Sequence, residues 1–452
     1  MLFAATLTYN VEVNINRQQS TLPQKTFAQE HNIDEQKICK HAKRVVKTLT
    51  DKGYQAYLVG GCVRDLLLNM TPKDFDIATN ATPEEVRRLF DRSRIIGRRF
   101  QIVHVYYGRE FLEVSTFRAQ VSGSGSSPNT QFNNGQITRD NTFGDIDEDA
   151  LRRDFTINAL YYDLTESAVL DFCSGMDAVE KRYLRMIGDP STRYREDPVR
   201  MLRAMRFRAK LGLEIETDTA APIAECAHLL TDISSARLFD ETIKLFHSGH
   251  AVNCFHELKQ HGLFHQLFPM TEKELGHDPQ LQDFIVGALG NTDARINIGK
   301  SVNPAFIFAV LLWRSFQHAV TQRTRHGKIS PESIWDAGRN TIFRQASHTT
   351  IPKRFAITIC EIWKFQSRFE RIRSRQIPEF IAHPRFRAAY DFMCLRTLLG
   401  EVSQAEADWW TDIQACGPEE KQLMIEKRPE PKREPKAKSR ASKSGQQSNS
   451  SE

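Results

Sequence analysis

Residues 57–80, YLVGGCVRDLLLNMTPKDFDIATN, constrain the fold more than any other stretch of this chain. A short apolar run at 56–59 meets Gly60 and Gly61, and CVRDLLL then has the composition of a helix, so the backbone must turn sharply from strand to helix. Such a turn lets backbone amides approach an anion, although many only pack. The segment KDFDIA is more telling. In an extended chain residues i and i+2 face the same way, so Asp74 and Asp76 converge while Phe75 and Ile77 turn toward a core. Side-by-side carboxylates repel unless a cation lies near. Oxygen-only ligands on a stiff strand suit Mg²⁺, which keeps its other positions for water and phosphates.

A third carboxylate stands at the matching phase. EFLEVSTFR alternates, with Leu112, Val114 and Thr116 on one face and Glu113, Ser115 and Phe117 on the other, so Glu113 can reach the aspartates from a neighbouring strand. Three acids beside a glycine turn make a two-metal phosphoryl-transfer site, one ion lowering the pKa of an RNA 3′-hydroxyl and the other holding a triphosphate. The plainer alternative is a solvated pair of surface aspartates.

At 452 residues and 40% hydrophobic composition the chain can fill several cores. No apolar run approaches the roughly 20 residues of a membrane span, and MLFAATLTYNVEVN makes a poor signal peptide, so a cytoplasmic protein with no membrane partner is expected. Eight scattered cysteines without a CxxC fit buried free thiols.

The organisation expected is α+β. Residues 1–33 read as weakly ordered, and Asp34 as the cap of a helix through EQKICKHAKRVVKTLTDKG, where Ile38, Ala42, Val45 and Leu49 recur at helical spacing and Gly53 ends the run. An α/β head spans 34–162, with strands at 56–59, 74–78, 102–107 and 111–117 and helices at 62–68 and 83–90. Within it 119–142, rich in Ser, Gly and Asn, reads as a mobile loop. A helical neck (163–250) and a helical body (251–425) follow. The last part, 426–452, reads as a disordered basic tail: from Lys427 onward eight Lys/Arg face three Glu, which accounts for five of the six net positive charges. The tail either keeps the protein soluble or binds a polyanion.

LVGGCVRDLLL, KDFDIATNATPEEVRRLF, RRDFTINALYYD, DPSTRYREDPVRMLRAMRFRAKLG and ARLFDETIKL together resemble, in order, the motifs of class II nucleotidyltransferases, the group of bacterial poly(A) polymerases and CCA-adding enzymes. The resemblance covers about residues 34–250. IIGRRFQIVHVYYGREFLEVSTFR is similar to the stretch that marks the poly(A) polymerases within that group, and VNPAFIFA, IPKRF and HPRFRAAYD resemble their C-terminal helical region. Cys62 departs from the pattern, which usually has Gly or Ala there. The resemblance implies that Asp74 and Asp76 bind metal, that Gly60, Gly61, Arg64 and Asp65 shape the phosphate turn, and that Arg153 with Asp154 contacts the nucleotide. Asp154 becomes a second candidate, beside Glu113, for the third essential carboxylate.

REDPVRMLR offers a means of choosing a base. Asp197 and Arg200, at i and i+3 at the start of a helix, share a face on which a carboxylate accepts from an exocyclic amine and a guanidinium donates to the adjacent ring nitrogen. Cytosine offers the same pair of groups as adenine, so ATP and CTP are not separated by this pair alone. An intrahelical ion pair is the plainer reading. In 352–375 seven cations, Lys353, Arg354, Lys364, Arg368, Arg371, Arg373 and Arg375, outnumber two Glu, with Trp363, Phe365 and Phe369 interleaved; the aromatics suit a core and the cations a single strand of RNA. His256, His261, His265 and the lone His277–Asp278 pair lack partners for a metal site. The sequence thus points to AMP transfer from ATP to RNA 3′ ends with two Mg²⁺. The alternatives are CCA addition and a non-catalytic RNA-binding protein on the same scaffold.

Overall fold

The computed structural model describes residues 23–97, 101–119, 130–133, 136–140, 142–323 and 330–429. The chain divides into two compact units, with the boundary after Pro269. The first is built on an eight-stranded sheet, and the second is helical.

The strands are β1 (Gln24–Phe27), β2 (Ala56–Val59), β3 (Asp76–Thr79), β4 (Ser93–Ile96), β5 (Ile102–Tyr107), β6 (Glu110–Thr116), β7 (Thr130–Asn133), β8 (Gln136–Asp140), β9 (Leu160–Asp163) and β10 (Ala168–Asp171), with a short parallel pair, Tyr183–Leu184 and Glu214–Ile215, apart from the large sheet. The large sheet runs β1-β10-β9-β2-β3-β6-β5-β4. Its pairs are antiparallel except β3 with β6. One face, carrying Leu58, Ile77, Val103, Val114 and Tyr162, packs on α1 (Lys40–Thr50), α2 (Gly61–Leu67) and α3 (Pro83–Leu89). α1 buries Ala42, Val45, Val46 and Leu49, the helical stripe the sequence carries. α3 starts on a capping box, Thr82 with Glu85, and a proline at its first position.

The opposite face is divided along one cross-strand row. Leu170, Tyr161, Val59, Asp76, Glu113, His104 and Arg94 are successive ladder partners from β10 to β4. The first three are buried against Ala150 of α4 (Ile146–Arg152) and Ile187; the remaining four are polar.

Several expectations change. Asp34 caps only the 3-10 turn Glu35–Lys37, and α1 begins after Cys39. Residues 24–27 are not weakly ordered but form edge strand β1, paired with β10; residues 1–22 lie outside the described residues. The expected head boundary at 162 falls inside β9, and the sheet continues through β10 to Asp171. Within the expected loop 119–142, β7 and β8 form an antiparallel pair. The sequence joins them by Asn134-Gly135, the strongest two-residue hairpin signal, which the polar composition masks. The mobility expected of the rest of 119–142 falls mainly on positions outside the described residues.

In the second unit the helix Lys353–Arg371 buries Trp363, Phe365 and Phe369; Phe365 and Phe369 share a core with Phe380, Phe386 and Trp410, and Trp363 stacks on Phe316. The expected tail starts too early. Helix Pro418–Lys427 includes Lys427, and Arg428 lies over Trp409, 4.0 Å from the ring centre, while pairing with Glu406. A guanidinium that stacks and pairs behaves as a core residue whatever the charge of its neighbours. Residues 430–452 lie outside the described residues. No helix among the described residues is long and apolar enough to cross a membrane.

Candidate active site

At the end of β2 the chain turns on Gly60, with φ +74° and ψ −121°, a conformation that L side chains avoid. A Cβ there would also sit 3.2 Å from Arg153 Nη1. The turn feeds α2, where Cys62 is buried; its thiol donates to the Val59 carbonyl, and burial with the nearby Asp76 charge pushes its pKa up to about 12, so the small side chain packs and stays protonated.

β3 starts at Asp76, two residues later than expected, with Asp74 in the extended segment before it. The alternation holds nonetheless: Phe75 and Ile77 are buried, Asp74 and Asp76 exposed. Asp76 and Glu113 are parallel ladder partners. Glu113 also faces His104, with Oε1 3.5 Å from Nε2. Partial burial, reinforced by Glu113 and Asp74 and opposed by Arg153, raises the Asp76 pKa to about 6. The expectation of three acids around one point is met only in part. Among the described residues no group of three or more His, Cys, Asp or Glu is gathered closely enough to hold a metal. Like charges repel, and the Glu113 carboxylate, although near enough to raise the Asp76 pKa, also reaches the His104 imidazole.

The other expected nucleotide contacts form an interior network. Arg64 Nε and Nη2 donate to Asp65 Oδ1 at 2.8 and 2.5 Å, and Nη1 donates to Asn158 Oδ1 at 2.6 Å. Asn158 Nδ2 donates to Asp154 Oδ1, and Arg203 Nε of the helix Val199–Leu211 donates to Asp154 Oδ2 at 2.6 Å. Burial alone would raise the Asp154 pKa, but Arg203, Asn158 and the Phe155 amide outweigh it and lower the value to about 2. Asp154 therefore faces the neck helix, while Asp74 and Asp76 face solvent. Arg153 lies beside the Gly60 turn; although burial opposes its charge, Tyr161 and Asp149 hold its pKa above the usual arginine value. Nη2 donates to Asp149 at 2.9 Å, and Nε to the Tyr161 hydroxyl at 3.2 Å.

Asp197 and Arg200 do not share a helix. α5 (Pro190–Glu196) ends at Asp197, whose φ of −149° is extended, and α6 (Val199–Leu211) starts after Pro198. A residue before proline is driven out of the helical region, which the i, i+3 reading overlooks. Asp197 accepts from Arg237 Nη2 at 2.8 Å, and Arg200 Nη1 donates to Glu196 at 3.0 Å.

Asn158, Arg203, Asp149, Tyr161, Arg193 and Arg237 join the site although the sequence does not single them out. Arg193 Nη2 clamps the carbonyls of Arg152 and Arg153. Their nearest sequence signal is their place inside or beside the motif stretches. In the second unit Lys353, Arg354, Lys364, Arg371, Arg373 and Arg375 are exposed, and Arg368 lies over Phe380. His261 Nδ1 contacts the Glu257 carbonyl, as an ordinary helix-end histidine does.

Three family models match the chain: "Poly A polymerase head domain" over 56–185, "Probable RNA and SrmB- binding site of polymerase A" over 212–275, and "Polymerase A arginine-rich C-terminus" over 326–444. The chain is 41% identical over 404 residues to the poly(A) polymerase I of Salmonella typhi, covering 88% of this chain and 87% of that protein. A CCA-adding enzyme of Lactobacillus helveticus is 39% identical over 214 residues, 47% of this chain and 51% of that one. The Thermotoga maritima CCA-adding enzyme complexed with tRNA superposes with a TM-score of 0.54 at 17% identity, over 83% of this chain and 82% of that one, which shows a shared fold.

Proposed function

Because the chain belongs to the poly(A) polymerase I family of class II nucleotidyltransferases, we propose that it is a template-independent adenylyltransferase acting on RNA 3′ ends with ATP. The RNA 3′-oxygen bonds to the α-phosphorus, the bond from that phosphorus to pyrophosphate breaks, and the hydroxyl proton is released. The observation that carries this reading is the cross-strand row: Asp76 beside Glu113, with Asp74 at the same phase, next to the Gly60 turn and Arg153.

The donor set fits magnesium: the ligands are carboxylate oxygens, and burial together with the neighbouring Glu113 and Asp74 charges raises the Asp76 pKa, a cost that a cation would relieve. Asp74 and Asp76 would hold it, and bound magnesium supplies charge neutralisation and a more acidic 3′-hydroxyl. Arg153, fixed by Asp149 and Tyr161, sets a positive charge beside the glycine turn for the triphosphate. The network from Asp65 through Arg64, Asn158 and Asp154 to Arg203 keeps that turn and α6 in one geometry. For Asp197 and Arg200 to read a base, Asp197 must give up Arg237, and Arg200 must give up Glu196 and the Arg193 carbonyl, for the nucleotide. The exposed cations of Lys353–Arg371, with Arg373 and Arg375, supply charge for the RNA backbone. A cytoplasmic location fits this role.

CCA addition is the second reading, favoured by a CCA-adding relative that matches about half of the chain. Incubation with a generic RNA and each NTP separately, resolved by length, separates the readings. Long A tracts on unrelated RNAs support the proposal. Arrest after three nucleotides on tRNA favours CCA addition, and RNA binding without extension by any NTP favours the scaffold. Arg200→Ala lowers ATP use by about 1–3 kcal/mol more than UTP or GTP use if the residue reads the base edge. An equal loss for all four nucleotides removes that role.

A further inference from the structure

Beside the acids, the row carries a cluster that the reaction scheme leaves without a role. His104 and Phe111 stack face to face, with ring centroids 4.1 Å apart and planes at 13°. Tyr106, the direct ladder partner of Phe111, lies 6.0 Å from it. The Glu113 carboxylate stands 3.5 Å from Nε2 of His104, the imidazole that backs Phe111. Phe111 is 46% exposed. A single exposed aromatic means little by itself; its position in the register is what distinguishes it.

β3 and β6 run parallel and their ladder starts with Asp76 opposite Glu113; Asp74 and Phe111 each stand two residues before that pair in sequence. The aspartates therefore have different neighbours on their two sides. Toward β2 lie the Gly60 turn and Arg153, both suited to phosphates. Toward β6 and β5 lie Phe111, His104 and Tyr106, and beyond them Arg94, exposed and paired in register with His104. Among the described residues no carboxylate forms an ion pair with Arg94. Phosphoryl transfer keeps the attacking and leaving oxygens roughly in line on opposite sides of phosphorus. With the leaving pyrophosphate held on the β2 side, the acceptor has to arrive from the β6–β5 side.

We propose that Phe111, backed by His104 and Tyr106, is the stacking platform for the 3′-terminal base of the RNA acceptor, with Arg94 receiving a backbone phosphate. This rests on the reading of the acidic row as the reaction centre. Every base has a π face, so a stacking platform accepts any RNA end while still placing its 3′-oxygen, which suits an enzyme without a template. Arg94 supplies the charge that holds the strand across the row. Phe111 is in these terms a positioning residue for the acceptor, separate from the groups that hold ATP.

The test uses the full chain and an RNA ending in 2-aminopurine, whose fluorescence falls on stacking, with a chelator present so that binding is read without extension. Wild type quenches the probe. Phe111→Ala loses the quenching and raises the KM for RNA by about 5- to 150-fold, with the KM for ATP changing by less than about twofold. Phe111→Trp restores both, which a merely structural defect would not allow. Asp76→Asn keeps the quenching and loses extension. Quenching that survives in Phe111→Ala, a parallel rise in both KM values, or a Trp variant as weak as Ala overturns the platform while leaving the adenylyltransferase reading in place. If Asp76→Asn still extends RNA, the acidic row is not the reaction centre and the platform falls with it.

Discussion

Two charged regions of the first unit stand one strand and a turn apart and are built in opposite ways. In the network of Asp65, Arg64, Asn158, Asp154 and Arg203 every carboxylate has a cationic partner, and Asp154 is held ionised down to about pH 2. On the row of Asp74, Asp76 and Glu113 like charges crowd together, and Asp76 holds its proton up to about pH 6. A fully paired network has little left to offer a ligand and fixes geometry. An underpaired one is poorly satisfied alone and gains when a cation or substrate arrives.

The largest effect expected from this contrast is at Asp76. Asp76→Asn lowers the rate of RNA extension by about 10³-fold or more, by loss of charge at the reaction centre. Without divalent metal the same change stabilises the protein. The folded-state pKa is raised from 3.8 to about 6, so the native state holds more protons than the unfolded one and stability falls as pH rises across that window; the variant lacks this fall. Thermal melts with chelator at pH 4 and pH 7 measure it, and a variant whose Tm drops equally at both would place Asp76 in the structural network instead.

Asp154→Ala works the other way, leaving Arg203 without its partner at a cost of about 3 kcal/mol, read from urea denaturation. Since the folded pKa is depressed to about 2, the contribution of Asp154 is complete above about pH 4 and lost as pH falls toward 2. A variant that folds with wild-type stability yet extends no RNA would move Asp154 to the chemical side of the comparison.

Gly60→Ala lies between the two regions. It forces a Cβ into a left-handed turn and toward Arg153, costing about 1–3 kcal/mol. Its KM for ATP rises more than its KM for RNA if the turn serves phosphates. The smallest effect is expected far from the acids. Replacing Lys353, Arg354 and Lys364 with Ala reduces the slope of log K against log salt for single-stranded RNA by about 2, at roughly 0.7 for each phosphate no longer neutralised. An unchanged slope would leave that face without a part in RNA binding.

The underpaired region is the legible one. Alternation in KDFDIA and EFLEVSTFR is a local property, so the shared face of Asp74 and Asp76 and the phase of Glu113 follow from spacing, and 102–107 matches β5 residue for residue. The paired region is not legible because its partners are distant in sequence: nothing near Asp154 announces Arg203, and nothing near Arg64 announces Asn158. Composition averaged over a window misleads twice. It counts Arg428 with the tail although two tryptophans claim it, and it hides the Asn-Gly hairpin signal inside a polar stretch. At Asp197 the signal is present in the proline that follows, and it outweighs the helical spacing.

The placement of β2 bears on how the molecule is made. Its antiparallel neighbour β3 leaves the ribosome soon after it, whereas β9, its neighbour on the other edge, arrives about a hundred residues later. Until Leu160–Asp163 emerges, a nascent chain carries an apolar strand with one row of amides and carbonyls unanswered, the kind of edge on which two chains join. A piece cut at residue 162 severs β9 and lacks β10 altogether, so the smallest fragment able to close this sheet begins before Gln24 and runs past Asp171.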